Sequence, residues 1–571
     1  MSSRSTTASP RSPRTAPLPE PERHAISDAT DTIARSYLDA VVAAFPQRAT
    51  ELGLHDRDGE LPDISVAMLD GYQRDLADLR SRLAAILPTD AEEAADRDAL
   101  DATIAEAAFQ QEVERQWRRN PHTAASIVPN SVLLLLSREF APLEQRLADA
   151  CGRLEAAPRL LEAARELLDE PCPPHWRDMA IDAANSAADT VPAMVAELAA
   201  GTRLAARATT AGQAAAEALR GYAAWLADEH APRFPEAVSY ALGETALRRR
   251  LAEVHAVFDD PADLLATGET EIAAIIETMA EHATGMGYAR TSQHGTAEQP
   301  NWVTALDDVK RHHPSADGLV DAYRAEMAKL ADFVFSNRIV TDPLPDAPVV
   351  AVEATPECQR AFLPLAAYEG PGPLDEVQRG HVIVTPPPET AGLRDHSWAS
   401  LQSVSAHEGY PGHHLQITSV NRLPSLTRKV VESHAMIEGW GLYAEQLMAD
   451  TGYYDAAGRL GQLAMRLLRA LRLVLDMGLQ TGETTWEAGA ERAVALVRMA
   501  PTAARNEVAR YTMMPTHPFG FLTGCRILER LRTETEQRQG DAFDLRAFHD
   551  RVLSYGHMPP PLLASALAAA G

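Results

Sequence analysis

Cysteine is scarce in this chain: four residues in 571, at Cys151, Cys172, Cys358 and Cys525, with no Cys-x-x-Cys pair among them. That excludes a disulfide-stapled scaffold and a cysteine-built zinc site, and it makes the cytoplasm the expected compartment. Also missing is any run approaching the roughly 18 consecutive apolar residues that a membrane-crossing helix requires, so no membrane partner is expected. Basic clusters are absent too. With a formal net charge of −27 and its Lys and Arg dispersed, the chain lacks the patch that a phosphate backbone demands, which argues against nucleic acid as a partner. No fixed-period repeat is found. What remains is 46% hydrophobic and 23% charged, the balance of an ordinary globular protein with ample core. Residues 1–24 depart from it. Rich in Ser, Pro and Arg and without an apolar run, they read as a disordered tail rather than a secretory signal.

Charge is concentrated in places such as DAEEAADRDALDATIAEAAF at 90–109. Its acids lack the spacing and glycine of a calcium loop, so it reads as a solvated helix face.

From 25 to 345 the dominant pattern is helical. Leu219, Tyr222, Ala223 and Leu226 recur at three- and four-residue intervals, and alanine is abundant. The segments EPCPPHW and HAPRFPEA punctuate these helices. Strand candidates are few: Val349-Val350-Ala351-Val352 and His381-Val382-Ile383-Val384, short, β-branched and flanked by prolines, forming a small sheet edge or a hairpin-like pair. The chain therefore divides into a helical region at 25–345 and a second region at 346–571, or the two form one continuous fold.

The second region holds the richest motif, His407-Glu408-Gly409-Tyr410-Pro411-Gly412-His413-His414, with 24 residues between His413 and Glu438 of EGWGLYAE. In an unbroken His-Glu-x-x-His motif, one helical turn presents two imidazoles to a metal and a glutamate to its water, and a later helix adds a third ligand. Here the fifth position is Pro411. On a straight helix His407 and His413 would lie about 9 Å apart along the axis and His407 and His414 about 10.5 Å, too far to share one ion. Pro411-Gly412 supplies a break that lets the intervening residues loop out. Either His413 or His414 then becomes the second ligand. On the later helix Glu438 and Glu445 are seven apart, on one face but about 10 Å apart along it, so only one can reach the ion. Gly439 and Gly441, each unfavourable by roughly 1 kcal/mol in a helix, point to close packing there.

HEGYPGHHLQ, RLPSLTRKVVESHAMIEGWGLYAEQLM, NEVARYTMMP and FHDRVLSYGHMPPPLL resemble the bacterial family called domain of unknown function 885, which is grouped with gluzincin-type zinc peptidases. The resemblance spans most of the chain and is strongest from about residue 350 onward. It implies His407, His413 and Glu438 as metal ligands, Glu408 as base, one Zn²⁺ or other divalent ion per chain, and a mainly α, large two-lobed architecture around a deep cleft with a small β-sheet near the metal. Two segments depart from the family pattern: Gln480 stands where histidine is usual, and MMPTHPFGF around His517 replaces a Pro-Gly-Gln-Ala run.

These residues suit metal-assisted hydrolysis. Three protein ligands leave a position for water, and Glu408 takes its proton and passes it to the leaving amine. Tyr511 is the candidate oxyanion stabiliser, His517 a further donor, and Arg510 a grip for a substrate carboxylate. His434 is either a donor behind the ligands or a plain helix histidine, and Asp476 with Arg472 either an orienting pair or a routine ion pair. The expected function is a zinc-dependent hydrolase of peptide or small-molecule amide bonds, with short peptides or amide-bearing metabolites as partners. A non-haem iron enzyme using the same two histidines and carboxylate, and a non-catalytic metal- or peptide-binding protein, are the alternatives.

Overall fold

Apolar side chains spaced for helices become one buried cluster that runs from Ile33 to Ala566. The computed structural model describes residues 28–569 apart from 235–237, 290–298, 356–359, 361–364 and 388. The expected tail at 1–24 and Cys358 therefore lie outside the described residues. Within them the chain forms 23 α-helices and one three-stranded sheet. Leu219, Tyr222, Ala223 and Leu226 are all buried, three of them on the helix Ala205–Trp225 and Leu226 on the π turn Leu226–His230 that continues it. EPCPPHW separates the helices Leu143–Leu167 and Pro174–Leu198, as its prolines require. No described helix is long and apolar enough to cross a membrane. Cys151, Cys172 and Cys525 are free and buried.

The acidic helix Ala91–Glu112 is not the solvated face its composition suggests. Asp96, 3% exposed, accepts from the Arg428 guanidinium at 2.8 Å, Glu92 pairs with Arg428 and Arg551, and Glu106 accepts from the buried Arg250 at 2.7 Å. Asp96 and Glu106 face inward because their partners Arg428 and Arg250, on remote helices, are themselves buried. Paired and hydrogen-bonded, the two sets offset each other's desolvation.

The strands are β1 (Ala351–Ala354), β2 (Ala366–Glu369) and β3 (His381–Val384), in the order β1-β3-β2. β1 runs parallel to β3 and β2 antiparallel to it, so the two expected strands are neighbours but not a hairpin. The first starts two residues later than its β-branched run, because Val350 donates its N–H to the Tyr410 hydroxyl at 3.1 Å rather than to a strand. β2 was not expected; Ala366-Ala367-Tyr368-Glu369 carries no β-branched residue. It forms the edge nearest the motif.

Candidate metal centre

The motif is a helix, a turn and a second helix. The first, Trp398–Glu408, is capped by Ser397, whose hydroxyl accepts the Ser400 N–H at 3.2 Å. It ends at Glu408, and after four intervening residues His413–Val420 begins. The Tyr410–Pro411 bond in the turn is cis. A Cβ on Gly412 would lie 1.9 Å from the His407 carbonyl oxygen, so the chain can double back only with glycine there. The turn is tied down by Trp440, whose indole N–H donates to the Pro411 carbonyl at 2.8 Å.

Doubling back brings His413 to His407, with ring centres 4.6 Å apart and planes at 86°. Glu438, on the helix His434–Asp450, meets both: its Oε2 is 3.5 Å from each Nε2. One ligand atom from each of the three residues lies within 4.8 Å of the others. Burial alone would raise the Glu438 pKa, but His407 and His413 hold it well below the usual carboxylate range.

His414 turns the other way, its Nδ1 lying 3.1 Å from the Tyr368 hydroxyl. It does not join the ligand cluster. Glu445 does not either. It sits behind His407, accepting from Nδ1 at 2.9 Å through one oxygen and from the Ser403 hydroxyl at 2.6 Å through the other. That contact fixes the ring orientation and leaves Nε2 directed at the cluster, as ligating histidines require. Burial opposes a charged His407, yet the bonds to Glu438 and Glu445 push its pKa up to about 9. Gly441 completes the arrangement, since a Cβ there would fall 2.6 Å from the His407 ring. Two imidazole nitrogens, one carboxylate oxygen and a carboxylate-oriented histidine are a donor set that fits zinc. His413 Nδ1 is buried with no partner among the described residues.

A cavity of about 330 Å³ opens on this cluster, lined by Glu408, Tyr511, Arg510 and His517 as well as His407, His413 and Glu438. The Glu408 carboxylate accepts the Tyr368 backbone N–H at 2.9 Å, so β2 fixes its position. Tyr511, at the end of the helix Pro501–Tyr511, donates to Glu507 at 2.7 Å and accepts from Arg472 Nε at 2.8 Å. Arg510 also pairs with Glu507, at 2.6 Å. Burial keeps His517 down at about 3, so its ring is neutral at pH 7.

The expected Arg472–Asp476 pair does not form. Arg472 turns to Glu507 and Tyr511, while Asp476 accepts the N–H groups of Thr516 at 3.1 Å and Phe519 at 2.9 Å. Those are orphan donors at the start of the helix His517–Gln539, which attract a carboxylate more strongly than the arginine one turn away. His434 is exposed and meets His517 at 4.7 Å between rings rather than a ligand. Gln480 is buried away from the cavity, its amide oxygen accepting the Leu242 N–H at 3.2 Å. Tyr368, Ser403, Arg469 and Glu507 went unnoticed in the sequence. Ser403 and Arg469 carried a signal, one helical turn from His407 and Arg472; Tyr368 carried none.

Fold and site together define a mainly helical protein with a buried two-histidine, one-glutamate cluster beside a small mixed sheet. The chain belongs to the family described as bacterial protein of unknown function (DUF885), whose model matches residues 46–567. No curated protein matches it. The fold recurs among solved structures. A "putative lipoprotein of unknown function" from Shewanella oneidensis is 23% identical with a TM-score of 0.76, covering 94% of this chain and 99% of its own. A "putative lipoprotein" from Colwellia psychrerythraea is 20% identical with a TM-score of 0.79, covering 95% and 98%.

Proposed function

We propose that the protein is a metal-dependent hydrolase of peptide or small-molecule amide bonds, with one zinc or other divalent ion held by His407, His413 and Glu438. One observation carries this reading. The three ligand atoms cluster within 4.8 Å, and a further carboxylate, Glu408, faces the same cavity without joining them. Bound there, the ion supplies Lewis acidity and lowers the pKa of water. Glu408 would take one proton from a water in the cavity as its oxygen adds to the amide carbon, and return it to the nitrogen as the C–N bond breaks. One water is consumed, and an acid and an amine leave. Arg472, Tyr511 and neutral His517 are the donors available to the developing oxyanion; Tyr511 must turn its proton away from Glu507 to serve.

A cavity of about 330 Å³, at the small end for ligand sites, favours short substrates over folded proteins. β2 borders it through Ala367 and Tyr368 and, as an edge strand, suits extended peptide. A two-lobed arrangement around a deep cleft belongs to this reading too. The same donor set serves iron–oxygen chemistry, but a carboxylate held beside the ligands by a backbone N–H has its use in hydrolysis. Two proteins of the same fold are called lipoproteins, which favours export over the expected cytoplasm; cell fractionation tests it.

Wild-type protein is expected to retain one equivalent of metal through dialysis, and His407→Ala or Glu438→Ala to lose it. Full metal content in both variants would sink the ligand set. Glu408→Gln should keep the metal but hydrolyse members of a peptide mixture more slowly by roughly 10²- to 10⁴-fold. Near-wild-type turnover would remove Glu408 from the mechanism, and absence of any turnover by the metal-loaded wild type would remove the hydrolase reading.

A further inference from the structure

Three arginines line the metal-side cavity, Arg469, Arg472 and Arg510, in a chain whose formal net charge is −27. Their protein partners do not satisfy them. Arg469 lies one helical turn before Arg472 on the helix Ala456–Thr481, and its side chain is only 9% exposed. The carboxylate nearest to it, Glu445, is 3.9 Å from Nη2 and already accepts from His407 and Ser403. Its Nη1 reaches the Met465 carbonyl and sulfur at 3.5 Å each, and its Nε is buried without a partner among the described residues. A buried guanidinium without a close counter-charge is unfavourable, and burial lowers this one's pKa.

Arg472 and Arg510 share a single carboxylate. Arg472 gives Nε to Tyr511 and Nη2 to Glu507, and Arg510 gives Nη2 to the other Glu507 oxygen. Neither has a protein partner for Nη1 among the described residues. The Phe521 ring holds two of the three in place, with guanidinium carbons 4.7 Å (Arg472) and 5.8 Å (Arg469) from its centre. The result is a set of fixed donors in excess of acceptors, facing the cavity that contains the proposed base.

We propose that these arginines receive a carboxylate of the substrate, so that the cavity takes short peptides by a free C-terminal end and cleaves near it. The inference rests on the hydrolase reading above and adds the substrate class. A planar carboxylate matches the guanidinium fork, and in a low-dielectric cavity such pairs discriminate strongly against a neutral group. The field helps as well: a positive cavity on an acidic molecule concentrates anions where the rest of the surface repels them. An acidic side chain offers the same chemistry, so the test separates the two sources.

Calorimetric titration of metal-loaded Glu408→Gln protein uses three probes: acetyl-trialanine with a free C-terminus, the same peptide as its C-terminal amide, and an amidated analogue with aspartate in the middle. The free acid should bind at least about 10-fold more tightly than the plain amide, the order of one charge-assisted hydrogen bond. Arg510→Gln, half-exposed and safe for folding, should lose most of that preference, and Arg469→Gln should do so with metal content unchanged. Equal or undetectable binding of free acid and plain amide overturns the proposal. Tight binding of the aspartyl amide alone moves recognition to an acidic side chain and overturns the C-terminal assignment. A clear preference without hydrolysis by wild-type enzyme would keep the carboxylate site and sink the hydrolase reading; hydrolysis of acid and amide at equal rates would do the reverse.

Discussion

Glu438 and Glu445 are two turns apart on one helix, and the structure gives them opposite relations to His407. One meets Nε2 and the other holds Nδ1. Spacing alone could not separate the carboxylate that joins the cluster from the one that orients His407, because both are within reach of one imidazole. Glu445→Gln tests the division. It keeps the shape but loses the charge behind the ring, so metal affinity should fall roughly 10- to 100-fold, measured by competition with a chelating dye. Unchanged affinity would mean that His407 is oriented by packing against Gly441 alone. His407, Glu408 and His413 were readable as a group because they stand close together in sequence, whereas Glu438, with 24 residues between, was singled out by resemblance; the structure brings the two histidines and Glu438 together. Asp476 was misread because its partners are backbone N–H groups, which no side-chain pattern announces.

At the scale of elements, the helix His434–Asp450, which carries Glu438, is positioned by its crossing with His517–Gln539. The crossing is made by glycines: a Cβ on Gly524 would sit 1.8 Å from the Ala435 carbonyl oxygen, and one on Gly439 would sit 2.6 Å from the Gly524 Cα. Gly524→Ala gains about 1 kcal/mol of helix propensity, but the added methyl meets backbone that cannot rotate away. The net effect should be destabilising by about 1–3 kcal/mol, read as a lower urea midpoint together with weaker metal retention. Gly285→Ala, where a Cβ meets nothing within 4 Å, should be neutral to slightly stabilising. If the two variants behave alike, the crossing is not the constraint on the site. Helices were readable from periodicity in a way that β2 was not. Its Ala-Ala-Tyr-Glu becomes a strand because β3 offers an edge to pair with, a tertiary cause that leaves no local trace.

Across the whole molecule, His55 joins the N-terminal helices to the β2–β3 connection. Its Nδ1 and Nε2 lie 2.9 Å from Asp58 and Asp375 respectively, its ring stacks on Phe140 at 3.7 Å, and Arg138 stands 3.7 Å from Asp375. Burial opposes the charged ring, but the bonds to Asp375 and Asp58 outweigh it and raise the pKa from 6.5 to about 9. A raised histidine pKa stabilises the fold fully below the unfolded value and ceases to do so as pH rises through the folded one. Unfolding free energy should therefore decline between about pH 6.5 and 9, and His55→Gln should flatten that decline. Parallel profiles for wild type and variant would rule the clasp out as its source.

The inward-facing acids of Ala91–Glu112 bear on the order in which the molecule is assembled. Asp96 waits for Arg428, 332 residues onward, and Glu92 for Arg551, 459 residues onward. Synthesis delivers the amino-terminal end first, so this helix emerges long before the cations that make its burial tolerable. Until they arrive, docking it would strand a carboxylate in the interior. A chain cut short before Arg428 is therefore expected to leave this helix undocked.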